Sequence, residues 1–255
     1  MITKNIVFHF YAPEGFENNE AIKIHLACLK RYSHIFDNAI FVISVNNIND
    51  TTLISEAEKA IIDCGFRNIK FKVSENDCYC EAVTFKNEIV DKLGSFDGIT
   101  FFGHTKGATN VVNPNIDKIS VLKWVAGMYY LNLNFVEEAE RVLVKEFKYS
   151  MFGAYKVVDD KIENANRRWY AGTFYWINTN RLVNNMKQRG IQIPRLHDRG
   201  YAEFITGELD NLGSHGDVYL FPFDYDTAGF LIEFLLLNDG REIAKYREYE
   251  KELGI

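Results

Sequence analysis

Two hydrophobic rhythms alternate through the first hundred residues, and this alternation limits the fold more than any other feature of the chain. Asn5–Tyr11 (Asn-Ile-Val-Phe-His-Phe-Tyr) and Ala39–Val45 (Ala-Ile-Phe-Val-Ile-Ser-Val) are short apolar runs of strand formers, and Phe96–Gly103 is a third. Ile69–Val73 alternates apolar and basic residues, as a strand nearer a sheet edge does. Helical spacing fills the gaps. After a loop over Ala12–Asn19, Ile22, Leu26 and Leu29 recur from Glu20 onward, with Tyr32 and Phe36 beyond. Thr51 or Thr52 caps a second helix running to Cys64, and Gly65 stops it. A polar loop, Ser74–Cys80, leads to a third helix over Glu81–Leu93, ended by Gly94. The order β-α-β-α-β-α-β predicts a parallel sheet with helices on both faces.

The second half breaks that rhythm. Gly107–Asp117 reads as a loop. Ile119–Leu131 reads as a helix with Trp124, Met128 and Leu131 on one face, and Phe135–Phe147 as an amphipathic helix. Phe152–Val158 is expected as a strand, Asp159–Arg168 as a polar loop, and Trp169–Asn178 as an aromatic strand. Thr179 caps a helix to Gln188, and Asp198–Leu209 is a further helix. Val218–Phe223 is the last expected strand. The apolar Phe230–Leu237 precedes a charge-alternating helix over Arg241–Leu253. No repeat relates the halves, so the second is not a copy of the first.

Composition removes several classes. Charged residues make up 25% and the formal charge is −6, with no long basic tract, which disfavours nucleic acid as a partner. Only four prolines occur, so no Pro-rich linker divides the 255 residues. The four cysteines are Cys28, Cys64, Cys78 and Cys80. Their C-x-C pair is not zinc spacing, and the thiols read as reduced. The amino terminus runs directly into a strand instead of a signal peptide, and no apolar run reaches the ~18 residues of a membrane span. A cytoplasmic protein is expected.

The stretch Phe101-Phe102-Gly103-His104-Thr105-Lys106-Gly107 is where chemistry gathers: a buried strand that opens onto a histidine, a hydroxyl and a lysine between glycines. Ligands of open α/β sheets sit outside the carboxyl ends of the strands. Glycine lets a ligand approach the backbone, and lysine offers a compact charge for phosphate. A surface turn with an ordinary lysine is the competing reading. Neither a G-x-G-x-x-G fingerprint nor a Walker A sequence is present, and no G-x-S-x-G or H-E-x-x-H occurs. Several further residues carry two readings. Asp77 is a spare carboxylate for metal, ribose or sugar, or a solvated turn. Glu81 is a favourable charge at a helix start. His9 is a satisfied core histidine. Trp176 and Tyr175 offer faces for a sugar or pack in a core, and Gly172 marks a close approach. Arg199 and Glu203 share a helical face, as an ion pair or as site residues. His215 and Asp217 sit in a glycine-flanked turn, a metal or phosphate corner at most.

Several segments, taken in order, resemble a loosely defined group of GT-A-type glycosyltransferases, in part those of rhamnan synthesis. These are Glu81-Ala82-Val83-Thr84-Phe85, the apolar strand with His104-Thr105-Lys106-Gly107, and Trp124 with Met128 as a Trp-x-x-x-Met helix. Ala171-Gly172-Thr173-Phe174-Tyr175-Trp176 is similar to the group's Gly-x-Phe-Trp-Trp strand, and Arg199-Gly200-Tyr201-Ala202-Glu203 to its Arg-x-x-x-Glu helix. The resemblance implies one GT-A-like α/β domain over 1–255, with a Rossmann-type, mostly parallel sheet followed by a mixed α/β half. Residues 1–107 would hold a nucleotide-sugar, 108–227 the acceptor, and 228–255 a helical tail. It implies sugar transfer to a glycan or lipid-linked hydroxyl in capsule or lipopolysaccharide synthesis. His104, Lys106, Arg199, Asp77, Tyr11 and Asn46 are assigned to the donor and its diphosphate. Gly172, Thr173, Tyr175 and Trp176 are assigned to the acceptor or sugar, and Glu203 or Asp198 is the base. Where most GT-A enzymes place Asp-x-Asp around Mn²⁺ or Mg²⁺, this chain has His-Thr-Lys, so Lys106 stands in as an electrostatic clamp. A divalent metal stays open, with Asp77 and His104 as its candidate ligands. Residues 230–237 could dock on the inner face of a membrane or bury in a homodimer. The alternatives are a nucleotidyltransferase on a similar sheet and a non-catalytic nucleotide- or carbohydrate-binding protein.

Overall fold

A computed structural model describes residues 2–105, 107–113, 115, 118–146, 149–153, 156–159, 167–170, 173–189 and 215–217. Four strands form as expected: β1 (Lys4–Tyr11), β2 (Asn38–Val45), β3 (Ile69–Glu75) and β4 (Ile99–His104). They pair in parallel in the order β3-β2-β1-β4, with β3 at the edge and half its side chains in water. The helices between them are α1 (Glu20–Tyr32), α2 (Thr51–Ile62) and α3 (Glu81–Glu88). The Asn19 side chain caps α1 by accepting from the Ile22 amide at 3.2 Å. At α2 the cap is Asp50, not Thr51 or Thr52: its carboxylate accepts from the Leu53 amide at 3.0 Å, and both threonines lie inside the helix. Helix α3 is shorter than expected, since the chain tightens into a 3₁₀ turn at Val90–Lys92 before Gly94.

The period of two along β1 divides the core. Ile6, Phe8 and Phe10 face α1 and the long helix α4 (Lys118–Leu133), while Val7 joins Phe102 beneath Ala82 and Phe85 of α3 and Ile89 at its C-terminal end. Each fully buried aromatic or aliphatic side chain here contributes about 1.5–3 kcal/mol by leaving water. Helix α4 was expected to bury one face. Instead Val125, Ala126, Met128, Tyr129, Tyr130, Leu131 and Leu133 are all buried, and Trp124 is half-buried. It is wrapped by the sheet, α1 and the segment that follows it, so it is apolar nearly all round.

That segment, expected as one helix over Phe135–Phe147, is α5 (Val136–Glu140) continued by a π-type turn at Arg141–Lys145. Arg141 bridges Glu138 and Glu146 there. Two expected strands are each divided between sheets. From Phe152–Val158 come β5 (Met151–Gly153) and β6 (Lys156–Asp159), and from Trp169–Asn178 come β7 (Arg167–Tyr170) and β8 (Tyr175–Ile177). Strands β6 and β7 pair as a separate antiparallel ribbon, so both ends of the expected 159–168 loop are strand. Thr173, at φ +60°, stands between the ribbon and β8. Strand β8 then inserts antiparallel between β4 and β5, and α6 (Thr179–Arg189) follows it. His215–Asp217 is not a plain turn but strand β9, parallel to β5. Among the described residues the main sheet thus has seven strands, β3-β2-β1-β4-β8-β5-β9, mostly parallel. The helices expected at 198–209 and 241–253, the strand at 218–223 and the apolar 230–237 lie outside the described residues. No helix among the described residues is long and apolar enough to cross a membrane.

Candidate functional site

From β1 the chain moves outward to β2 and β3, then returns to place β4 on the other side of β1. The strand order therefore reverses between β1 and β4, and a crevice opens at their carboxyl ends. A cavity of about 330 Å³ lies there, bordered by His9, Tyr11, Asn76, Glu81, His104 and Thr105 and by the turn of residues 107–110. This is where the sequence placed a site, at the end of the fourth strand.

Register brings the two histidines together. His9 and His104 are paired neighbours on parallel strands, so their side chains leave the same face. Behind them, His9 Nδ1 lies 2.8 Å from the Thr84 hydroxyl on α3. Burial pushes His9 down to about 4; Glu81 pulls the other way, and His104 adds to the fall. His9 is neutral at neutral pH, one ring nitrogen a donor and the other an acceptor. It is the satisfied core histidine that was expected, and it also borders the cavity. Thr105 locks the strand ends: its hydroxyl accepts from the Tyr11 amide at 2.8 Å, and its own amide donates to the His9 carbonyl at 3.0 Å. Gly107 closes the turn at φ +83°, where a Cβ would stand 2.6 Å from Val121 on α4. Only glycine meets both demands.

Glu81 reaches the cavity because of a distorted residue before it. Cys80 caps α3 at φ 48°, ψ −126°, a conformation costing a non-glycine residue about 1–3 kcal/mol. The Asp77 carboxylate holds that bend, accepting from the Tyr79 amide at 2.8 Å and the Cys80 amide at 3.0 Å. The first residue of α3 then points inward, and Glu81 Oε2 stands 3.6 Å from His104 Nδ1, both residues buried.

The expected donor residues converge in part. Tyr11 Oη donates to Asn46 Oδ1 at 3.4 Å, and the same oxygen accepts from Asn76 Nδ2 at 3.2 Å, tying the ends of three strands together. Asp77 is engaged as a turn carboxylate. Among the described residues no three His, Cys, Asp or Glu side chains converge to hold a metal ion. With one Asp77 oxygen committed to two amides, Asp77 and His104 do not by themselves make a site for Mn²⁺ or Mg²⁺. Lys106, Gly172, Asp198, Arg199 and Glu203 lie outside the described residues.

The acceptor assignment is corrected at its aromatic residues. Trp176 and Tyr175 have no exposed surface. Trp176 is stacked 5.7 Å from Phe36, lies tilted 5.3 Å from Phe101, and donates from Nε1 to the Asn132 carbonyl at 2.9 Å. Tyr175 packs on Phe85 and Phe102, and Thr173 is buried. An aromatic strand inserted in mid-sheet is covered on both faces, so neither ring offers a face to a sugar. Thr84 and Asn76 were not singled out from the sequence, and Thr105 was named there as a hydroxyl without a role of its own. The signal for Thr105 was its place directly beyond β4. Thr84 sits three residues after Glu81 on one helical face.

No family model matches the chain, and no curated protein matches it. Among solved structures it is similar to a nucleoside-diphosphate-sugar pyrophosphorylase from Vibrio cholerae RC9, at 12% identity and a TM-score of 0.41, over 83% of this chain and 91% of that one. It is also similar to 4-diphosphocytidyl-2C-methyl-D-erythritol synthase, at 10% identity and a TM-score of 0.36, over 92% of this chain and 99% of that one.

Proposed function

We propose that this chain is a GT-A-type glycosyltransferase that moves a sugar from a nucleotide-diphosphate donor to a hydroxyl of a glycan or lipid-linked acceptor. The observation that carries this reading is the polar cavity at the carboxyl ends of β1 and β4, where the strand order reverses. Such a crevice is the place an open α/β sheet gives its ligand. Its lining of hydroxyl, amide and imidazole groups suits a nucleotide-sugar, and the ordered segments shared with the glycosyltransferase group support the same class. In the transfer, the acceptor oxygen attacks the anomeric carbon, the bond to the diphosphate breaks, and the diphosphate leaves with the electron pair. Lys106 and Arg199 are proposed to balance its charge, and Glu203 or Asp198 to take the hydroxyl proton. No step here runs through a metal.

The test is a melting series with UDP-, GDP- and dTDP-sugars, each with and without EDTA. A ligand at a hundred times its Kd adds about 2.7 kcal/mol, roughly 5–10 °C for a domain of this size. A flat series with every nucleotide would refute the donor site. Products then separate the chemistries: a transferase releases nucleoside diphosphate, whereas a nucleotidyltransferase releases pyrophosphate. Unchanged transfer in both Glu203→Gln and Asp198→Asn removes those residues as the base.

A further inference from the structure

Glu81 has no part in the reading above, yet it is the one carboxylate among the described residues that border the cavity, and it is only 7% exposed. Its oxygen faces Nδ1 of His104 at 3.6 Å, a charge contact longer than a hydrogen bond. In a neutral imidazole one nitrogen carries the proton and the other a lone pair. With the proton on Nε2, the Nδ1 lone pair would oppose a buried anionic oxygen. With the proton on Nδ1 the same contact is attractive, and Nε2 keeps its lone pair. A carboxylate at one ring nitrogen commonly sets the tautomer at the other. The rest of the described lining is uncharged: Tyr11, Thr105 and Asn76 offer hydroxyl and amide groups, and His9, engaged by Thr84, is held neutral by burial. Groups of this kind pair with the hydroxyls of a sugar or a ribose. The bend at Cys80 gains a use as well, since it is what turns Glu81 inward.

We propose that Glu81 is a positioning residue that holds the His104 proton on Nδ1, so that Nε2 accepts a hydrogen bond from a hydroxyl of a polyhydroxylated group in the cavity. This rests on the donor-site reading and deepens it: the group is the sugar or the ribose of the donor.

Long-range ¹H–¹⁵N spectra of the free full-length chain read the tautomer directly, with the His104 signals identified by their loss in His104→Gln. The wild type is expected to show a protonated Nδ1 and an unprotonated Nε2. Glu81→Ala is expected to shift His104 toward the other tautomer. Glu81→Gln preserves the shape, and its amide can present either an oxygen or an NH₂ group, so a mixture is expected even if the alanine variant does not fold. A wild-type proton on Nε2, or an unchanged tautomer in both variants, overturns the proposal. Calorimetry with UDP-glucose and with UDP supplies the second readout; the GDP or dTDP pair replaces them where the melting series selects it. Glu81→Ala should weaken binding about tenfold, and no further in the His104→Gln background. Loss with both ligands assigns the ribose, and loss with UDP-glucose alone assigns the sugar. Unchanged affinity for both, or additive losses in the double variant, overturns the proposal. If the wild type binds no nucleotide, the donor reading fails, while the spectra still decide what Glu81 does.

Discussion

Each face of the central sheet buries a histidine against a hydroxyl, and the two faces use it differently. Toward α1 and α4, His25 Nδ1 lies 2.8 Å from Tyr129 Oη, its ring edge-on to Phe8 and stacked 6.2 Å from Phe174. Toward α3, His9 Nδ1 lies the same 2.8 Å from Thr84 Oγ1. The hydrogen bonds match. Beyond His25 come more aromatic rings, whereas beyond His9 come His104, Glu81 and a polar cavity. Burial alone therefore says nothing about whether a histidine is structural or functional; the groups on its far side decide.

The contrast can be broken most forcefully from the aromatic face. Trp176→Ala, which empties a site between Phe36 and Phe101 and orphans the Asn132 carbonyl, should cost about 3–5 kcal/mol in urea unfolding. A loss under 1 kcal/mol would show that this side is loosely packed. The next effect belongs to His9. Its folded pKa of about 4 lies below its ordinary 6.5, so the folded state binds the proton less readily than the unfolded chain. The stability this represents is complete above pH 6.5 and is lost as pH falls toward 4, by about 3 kcal/mol. His9→Gln should lack that part of the acid sensitivity when urea midpoints are compared across the window. Glu88 does not blur the comparison. Burial raises its carboxyl, but hydrogen bonds from Lys72 and Lys92 outweigh this and hold it below 4.5, so its share is lost only at lower pH.

How much of this was legible in the sequence follows from how locally each part is determined. The strands β1, β2 and β4 are covered on both faces, so each reads as a continuous apolar run, and the helices between them carry their own period. Short strands such as β5 and β8 are set by distant partners instead. Nothing within Tyr175-Trp176-Ile177 says that Thr100–Phe102 lies on one side and Met151–Gly153 on the other, so the rings looked available to a sugar. Glu81 read as an ordinary charge at a helix start because the inward turn depends on the Cys80 bend, and sequence spacing carries no dihedral angle. His104 and Thr105 were legible because a buried strand ending in polar residues is itself the signal.

Smaller effects sharpen the same division. His25→Leu leaves the Tyr129 hydroxyl without this partner and should cost about 1–3 kcal/mol, with nucleotide affinity unchanged by calorimetry. A drop in affinity would place His25 within reach of the site. Asp50→Ala touches neither face. It should cost about 1 kcal/mol, and Thr51→Ala much less, when both are measured by thermal unfolding.

Strand β8 carries a consequence for how the chain is made. The sheet β3-β2-β1-β4 is complete once residue 104 has left the ribosome, but the partner of β4 on its outer side is not translated until residues 175–177. Throughout that interval Ile99–His104, an apolar strand, presents an unpaired edge, the kind of template that recruits other nascent chains. Slow synthesis through the intervening segment lengthens that exposure. Yield of folded protein should therefore respond to translation speed and to chaperones that shield a strand edge, more than the stability of the finished sheet would suggest.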